Sequence, residues 1–341
     1  MHEYSTDFHD QALASAFASA RAIVPIVMRL LDLKRTVDVG CGFGAWLAVF
    51  REHGVSEVLG VDGPYVDRKR LLIPQDRFIA CDLTLEIEIE GCFDLVVSLE
   101  VAEHLPAEAA ASFVGSLTKL GPAVLFSAAV PGQGGVHHVN EQWPDYWAAM
   151  FRDHGFVAID CIREFVWQSE SVAPWYAQNC FLYIREKLLA ESPRLQVAQR
   201  LSVNRLAPVI HPRLFSEKVW QAKALALLED LLELVPAGCT IALIDDNYLS
   251  KRCLKPWNVH RVQERDGVYW GPPESAEQAI FGIETASRLG ARFVAVAWPA
   301  FWWLKEYAGL GRHLGSTARC VVENDRLILF TIGNDTTVRP P

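Results

Sequence analysis

The stretch Val37-Asp38-Val39-Gly40-Cys41-Gly42-Phe43-Gly44, followed downstream by the acidic strand end Gly60-Val61-Asp62, decides how this chain folds. Thr36 to Val39 is a short apolar run, three alternate glycines follow at once, and Ala45 to Phe50 resumes with helix formers. The order is therefore strand, tight turn, helix. Glycines at 40, 42 and 44 permit positive φ and close approach of a ligand, while the helix behind them offers unpaired N–H groups. Gly40, Gly42 and Ala45 also satisfy the G-x-G-x-x-A pattern of a dinucleotide-binding turn. Asp38 decides between the two ligands. A carboxylate just before the first glycine repels a pyrophosphate, but it attracts the ammonium and sulfonium of S-adenosylmethionine.

The segments that follow place polar groups at successive strand ends. Glu57 to Val61 reads as a second strand closing on Asp62, whose carboxylate can accept both hydroxyls of a ribose. Arg77 to Cys81 is a third, closing on Asp82-Leu83, which can pair with an adenine amino group and cover the ring edge. Phe93 to Leu99 is a fourth, apolar enough for a buried parallel strand, and it ends on Glu100. Ligands of open α/β sheets bind at these carboxyl ends. Each Asp has a plainer reading as a turn cap.

The motifs Asp38-x-Gly40-x-Gly42-x-Gly44, Val61-Asp62, Cys81-Asp82-Leu83 and Phe93-Asp94-Leu95-Val96-Val97-Ser98-Leu99-Glu100-Val101-Ala102-Glu103-His104-Leu105 resemble, in order, those of class I S-adenosylmethionine-dependent methyltransferases. The resemblance covers about residues 30–185. It implies a Rossmann-like, seven-stranded domain with S-adenosylmethionine as cofactor. Asp38, Gly40, Gly42 and Gly44 would surround the methionine part, Asp62 the ribose, Asp82 and Leu83 the adenine, and Glu100 would lie near the reacting end. It also implies that Ala158 to Trp167 and Cys180 to Arg185 form the terminal antiparallel pair of the sheet.

A length of 341 residues exceeds one typical domain. The expected division is a cofactor-binding domain over 1–190, a proline-bearing linker over 191–215, and a smaller α/β domain over 216–341 of unassigned role in acceptor recognition or assembly. A net charge of −9 argues against a nucleic-acid partner, whose phosphates need a basic surface. The eight cysteines form no C-x-x-C pair, which points to a reducing compartment without structural zinc. Met1 to Asp10 lacks the apolar core of a signal peptide, and the apolar stretch Ala22 to Leu33 is interrupted by Arg29 and reads as too short for a membrane span. A soluble, cytoplasmic protein is expected.

Leu13, Phe17, Ala20, Val24, Val27 and Leu31 recur at helical spacing, with a bend expected at Pro25. Pro106 to Leu120 predicts another helix, and Ala123 to Val130 the fifth strand. Past residue 216, Leu225, Leu228, Leu232 and Val235 mark a helix stripe, and Cys239 to Ile244 a strand ending in Asp245-Asp246-Asn247. Asp245 and Asp246 are read as turn caps. Ser275 with Gln278 makes a capping box before a helix carrying Ile280 and Ile283. Arg292 to Ala297 is a strand, and Arg319 to Val322 with Arg326 to Ile332 a hairpin around Asn324-Asp325.

Methyl transfer to a hydroxyl needs an aligned acceptor and a base near the ends of the fourth and fifth strands. Two segments offer one: Glu100, Glu103 and His104, and Gly132-Gln133-Gly134-Gly135-Val136-His137-His138-Val139-Asn140-Glu141, whose three glycines suggest a mobile lid. His138 is the first choice as general base, then His137, then His104; adjacent residues 137 and 138 cannot both face inward in an extended chain. Glu103, His138 and Glu141 can also be grouped as a divalent metal site, a reading less favoured than direct base catalysis. Trp143, Tyr146, Trp147, Trp167, Trp175 and Tyr176 surround this segment in sequence; half or more would fill core, and the rest can wall a sugar or aromatic acceptor. The run His138 to Pro144 with Trp175 to Asn179 is loosely similar to bacterial methyltransferases of surface-polysaccharide and secondary-metabolite pathways. The resemblance thus implies O-methylation of a small molecule or glycan. A binding scaffold with a vestigial pocket, and a nicotinamide-dependent oxidoreductase, are the competing readings.

Overall fold

The computed structural model describes residues 6–202 and 208–332. The reading of the extreme N-terminus falls partly outside these, as do residues 203–207 of the expected linker and the tail from 333. The chain divides into two compact units, residues 1–215 and 216–341.

The first unit is built on seven strands: β1 (Arg35–Val39), β2 (Glu57–Asp62), β3 (Phe78–Ala80), β4 (Leu95–Leu99), β5 (Ala123–Ser127), β6 (Phe156–Ile159) and β7 (Phe181–Arg185). Their order across the sheet is β3-β2-β1-β4-β5-β7-β6. β1 to β5 run parallel, and β7 is antiparallel to both β5 and β6. Every residue of β4 and β5 is buried, as a parallel sheet covered on both faces requires. Alternation along the strands sorts their side chains into two cores. Leu95 and Val97 join the core that contains helices α1 (Thr6–Leu30) and α2 (Ala45–Glu52); Val96 joins the other, with α3 (Ala110–Leu120) and α4 (Pro144–Asp153). Phe50, Phe113 and Phe151 are fully buried in these layers, each stabilising the fold by about 1.5–3 kcal/mol.

Helix α1 runs unbroken through Pro25. Its window Leu13–Leu30, with mean hydropathy 1.5, is long and apolar enough to cross a membrane, so the sequence reading underestimated the apolar length. In this fold Ala20, Ile23, Val24 and Val27 are buried in the core shared with α2. The strand expected over Ala158 to Trp167 stops at Ile159. Asp160 there accepts two bonds from the guanidinium of Arg163, at 3.0 and 2.5 Å, and the chain turns into the short helix α5 (Arg163–Val166). Helices α6 (Pro174–Asn179), α7 (Glu186–Glu191) and α8 (Pro193–Leu201) follow, and Leu189 and Leu195 are buried in the first core.

Helix α9 (Pro212–Leu234) leads into the second unit, whose strands are β8 (Thr240–Ile244), β9 (Asn258–Arg261), β10 (Glu264–Arg265), β11 (Val268–Tyr269), β12 (Ala291–Ala297), β13 (Ala318–Glu323) and β14 (Leu327–Ile332). Its main sheet has the order β13-β14-β12-β8-β9. The parallel trio β9-β8-β12 is joined through α10 (Ala276–Arg288), capped by Ser275 as its sequence requires, and the hairpin β13–β14 closes one edge. The leucine stripe of α9 is in a different phase from that expected: Leu227, Leu231 and Val235 are buried, whereas Leu225 and Leu232 are exposed. Leucines at 225, 227, 228, 231, 232 and 234 fit more than one helical phase, so spacing alone could not choose.

Candidate functional site

The glycine turn follows β1. Gly40, Gly42 and Gly44 all have left-handed φ, at 84°, 54° and 85°. They differ in surroundings. A Cβ on Gly40 would lie 2.3 Å from the side chain of Val101, so that glycine serves packing, while a Cβ on Gly42 would meet nothing within 4 Å. Gly42 thus opens onto free space with its N–H donated to Asp62 Oδ2 at 2.7 Å.

Asp38 and Asp62 are both buried beside this opening. Burial, and then the charge of Asp62, push the Asp38 carboxyl well above the ordinary range. A cation placed here relieves both effects, and a pyrophosphate worsens both. The residues present therefore fit the cationic methionine end of S-adenosylmethionine. Asp62 Oδ1 also accepts from Gly63 N and from the hydroxyl of Tyr65, each at 2.6 Å. Tyr65, which sequence reasoning missed, takes an acceptor position that a ribose hydroxyl would use, and the residue is 81% exposed.

Asp82 follows β3 on the same edge. It is exposed, and its Oδ1 accepts from the backbone N and hydroxyl of Thr84, bonds that lower its pKa. The turn-cap reading accounts for those contacts. Leu83 beside it is buried in the second core.

Glu100, after β4, is a non-glycine residue at φ 55°. Such a conformation costs about 1–3 kcal/mol and persists where the surroundings enforce it. Here its carboxylate accepts from Gln133 Nε2 at 2.8 Å and Asn179 Nδ2 at 3.1 Å. Burial nonetheless outweighs these bonds and raises its pKa. Gln133 and Asn179 were not singled out in the sequence, where nothing marks them as partners of Glu100.

The segment after β5 is pinned at several points. Glu141 accepts from Gly132 N at 2.8 Å and Gly134 N at 2.6 Å, and Val139 N and Asn140 N both donate to the carbonyl of Glu103. Two of the three glycines of the expected lid, Gly132 and Gly134, thus wrap the loop around a carboxylate. His138 is turned inward and bonded through Nδ1 to Glu141 Oε1 at 2.9 Å, whereas His137 is exposed at φ 61°. His104 meets His138 edge to face, with ring centroids 4.8 Å apart. Burial, and then His138, lower the pKa of His104. Burial acts to raise that of Glu141, but the bonds from His138 and the two glycine amides prevail and lower it.

Glu103 is fully buried, and neither of its carboxylate oxygens has a hydrogen-bond partner among the described residues. Burial, then the charge of Glu100, push its pKa well up. Ligand atoms of Glu103, His104 and His138 lie within 4.8 Å of one another. Glu141, grouped with Glu103 and His138 by sequence, is instead one bond further out, behind His138.

Of the aromatic residues, Trp147 and Tyr176 are buried, while Trp143, Tyr146, Trp167 and Trp175 are half-buried. In the second unit Asp245 is a buried ion-pair partner of Arg261, at 2.7 and 3.1 Å, and it also caps the turn by accepting from Asn247 N and Leu249 N. Asp246 accepts from the indoles of Trp302 and Trp303 and from the hydroxyl of Tyr269.

Residues 14–167 match the family described as "Methyltransferase domain". No curated protein matches the chain. Among solved structures it is similar to magnesium protoporphyrin IX methyltransferase from Synechocystis PCC 6803 with bound SAM: 18% identity, TM-score 0.39, covering 54% of this chain and 86% of that one. DesVI of Streptomyces venezuelae is 14% identical with a TM-score of 0.42, covering 54% of this chain and 100% of that one. An O-methyltransferase family protein from Burkholderia thailandensis is 15% identical with a TM-score of 0.38, covering 53% and 60%. At such identities and scores, no substrate or mechanism transfers.

Proposed function

On the premise that residues 14–167 form a class I, S-adenosylmethionine-dependent methyltransferase domain, we propose that this chain methylates an oxygen of a small molecule or glycan. One observation carries the reading: the acid-lined opening at Gly42 and the His104–His138–Glu141 cluster both lie at the carboxyl edge of one sheet. Bound S-adenosylmethionine supplies an electrophilic methyl on a sulfonium. Asp38 and the glycine turn hold its cationic end, Asp62 holds the ribose once Tyr65 moves away, and Asp82 with Leu83 borders the adenine. Glu100, fixed by Gln133 and Asn179, sets the boundary of the reacting end.

The proton of an acceptor hydroxyl is removed at the histidine cluster. Glu141 orients His138 there through Nδ1, while His104 is kept neutral by its surroundings. His137 stands at the rim. The half-buried Trp143 and Trp175 give flat apolar walls suited to a sugar or aromatic ring. The net charge of −9 favours small or neutral acceptors over nucleic acid, and the free cysteines suit the cytoplasm as the proposed compartment.

The test is methyl transfer from labelled S-adenosylmethionine to a panel of hydroxylated sugars and aromatic phenols, with parent and His138→Ala compared. Turnover that falls in the variant while S-adenosylhomocysteine still binds supports the reading. Unchanged turnover removes His138 from the chemistry. Cofactor binding without transfer to any oxygen acceptor favours a scaffold.

A further inference from the structure

Glu103 poses an unsolved problem in this fold. Its carboxylate is fully buried beside that of Glu100, makes no close hydrogen bond on either oxygen among the described residues, and has its ligand atom within 4.8 Å of those of two imidazoles. A buried carboxylate left that way must either stay protonated or meet a cation. We propose that Glu103, His104 and His138 hold a divalent transition-metal cation, which, with His138 Nε2 as its ligand, takes over from that nitrogen the task of drawing off the acceptor's proton. This rests on the methyltransferase reading for its purpose, not for its geometry.

Four features of the site support a cation over a protonated acid. The donor set is one carboxylate and two imidazoles, which suits manganese, cobalt or zinc better than magnesium or calcium, whose ligands are oxygens. Three protein ligands leave coordination positions open, as in catalytic rather than structural sites. His138 already has the outer partner a metal-bound histidine uses: Glu141 takes its Nδ1, fixing the ring and leaving Nε2 as the ligand. The ring holds this position only because residue 135 is glycine, since a Cβ there would lie 2.2 Å from Nε2 and 2.5 Å from Cε1.

Ligands at about 2.0–2.2 Å from one ion must stand closer together than the present limit of 4.8 Å. His104 can close the difference by rotating about its side-chain torsions. A hydroxyl oxygen brought to an open position would lose its proton to water, and its freed electron pair would form the new bond to the methyl carbon as the carbon–sulfur bond breaks toward sulfur.

The probe is Mn2+ added to the full-length, tag-free chain, with binding read from loss of the free-ion paramagnetic resonance signal, and Co2+ with its visible spectrum as a second probe. One ion per chain is expected. Glu103→Gln, a near-isosteric change that removes the buried charge, should abolish saturable binding while leaving the thermal transition at or above that of the parent. Gly135→Ala should weaken binding by crowding His138, and Glu141→Gln should weaken it about 10–100-fold. Absence of Mn2+ and Co2+ binding by the folded parent, or binding unchanged in Glu103→Gln, overturns the proposal. S-adenosylhomocysteine titrated into the same samples with and without EDTA separates the two readings. If the cofactor product binds and methyl transfer persists in EDTA, the metal site fails and the methyltransferase stands. If Mn2+ binds but S-adenosylhomocysteine does not, the reverse holds.

Discussion

The backbone N–H of Asn140 donates to the carbonyl of Glu103 at 3.0 Å, joining the loop after β5 to the turn after β4. Val139 shares the same acceptor at 2.9 Å. Together with the bond from Gln133 to Glu100, this double clip sets His138 against His104. It also makes the position of the histidines a property of backbone bonding, which side-chain substitutions at the site should leave in place.

Gly40 and Gly42 should respond oppositely to alanine. Both have positive φ, so each variant carries strain of about 1–2 kcal/mol. Gly40→Ala adds a clash with Val101 and should lower the melting temperature sharply. Gly42→Ala projects into open space and should keep most of its stability while losing affinity for S-adenosylhomocysteine. Thermal denaturation and calorimetry on the two variants check the contrast.

Asp62→Ala should weaken cofactor binding by roughly 10–100-fold, the range expected for losing a hydrogen bond to a charged group worth about 1.5–3 kcal/mol. Tyr65→Phe should bind slightly better, because the hydroxyl that competes for Asp62 is gone. Equal affinity in Asp62→Ala and the parent would show that the ribose is held elsewhere.

Asp38 makes stability and binding depend on pH in a stated direction. Its folded pKa is raised, so the folded state holds the proton more tightly than the unfolded chain does. Its contribution is therefore greatest below the unfolded value of about 3.9 and is lost as pH rises toward the folded value. A bound cation favours the ionised form, so binding should release a proton. Calorimetric heats measured in buffers of different ionisation enthalpy should differ for the parent and converge for Asp38→Asn.

In the second unit, Arg261→Ala should cost about 3–5 kcal/mol by leaving Asp245 buried and unpaired. Replacing both residues with apolar ones of similar volume should cost less than the single change. Denaturant titration reads both values.

The second and fourth strands were legible as apolar runs closing on Asp62 and Glu100, and the hairpin at Asn324-Asp325 carried its own turn signal. Asp38, the glycines and Asp62 were expected at the ends of successive strands, and the resemblance grouped them; in the fold the N–H of Gly42 does meet Asp62. The hairpin β10–β11 was missed although Asp266-Gly267 announces it, and both residues take the positive φ of a tight hairpin turn. What spacing could not reveal was set by tertiary contact. The bonds from Gln133 and Asn179 to Glu100 join residues 33 and 79 apart in sequence, the burial of Glu103 depends on what packs around it, and the bond of Tyr65 to Asp62, though local, depends on how the turn after β2 folds back.

The most direct measurement is calorimetric titration of the full-length chain with S-adenosylhomocysteine, paired with a titration of NAD. Saturable one-site binding of the first, none of the second, and loss of the first in Gly42→Ala is the predicted result. A folded chain that binds neither, or that binds NAD instead, would contradict the account.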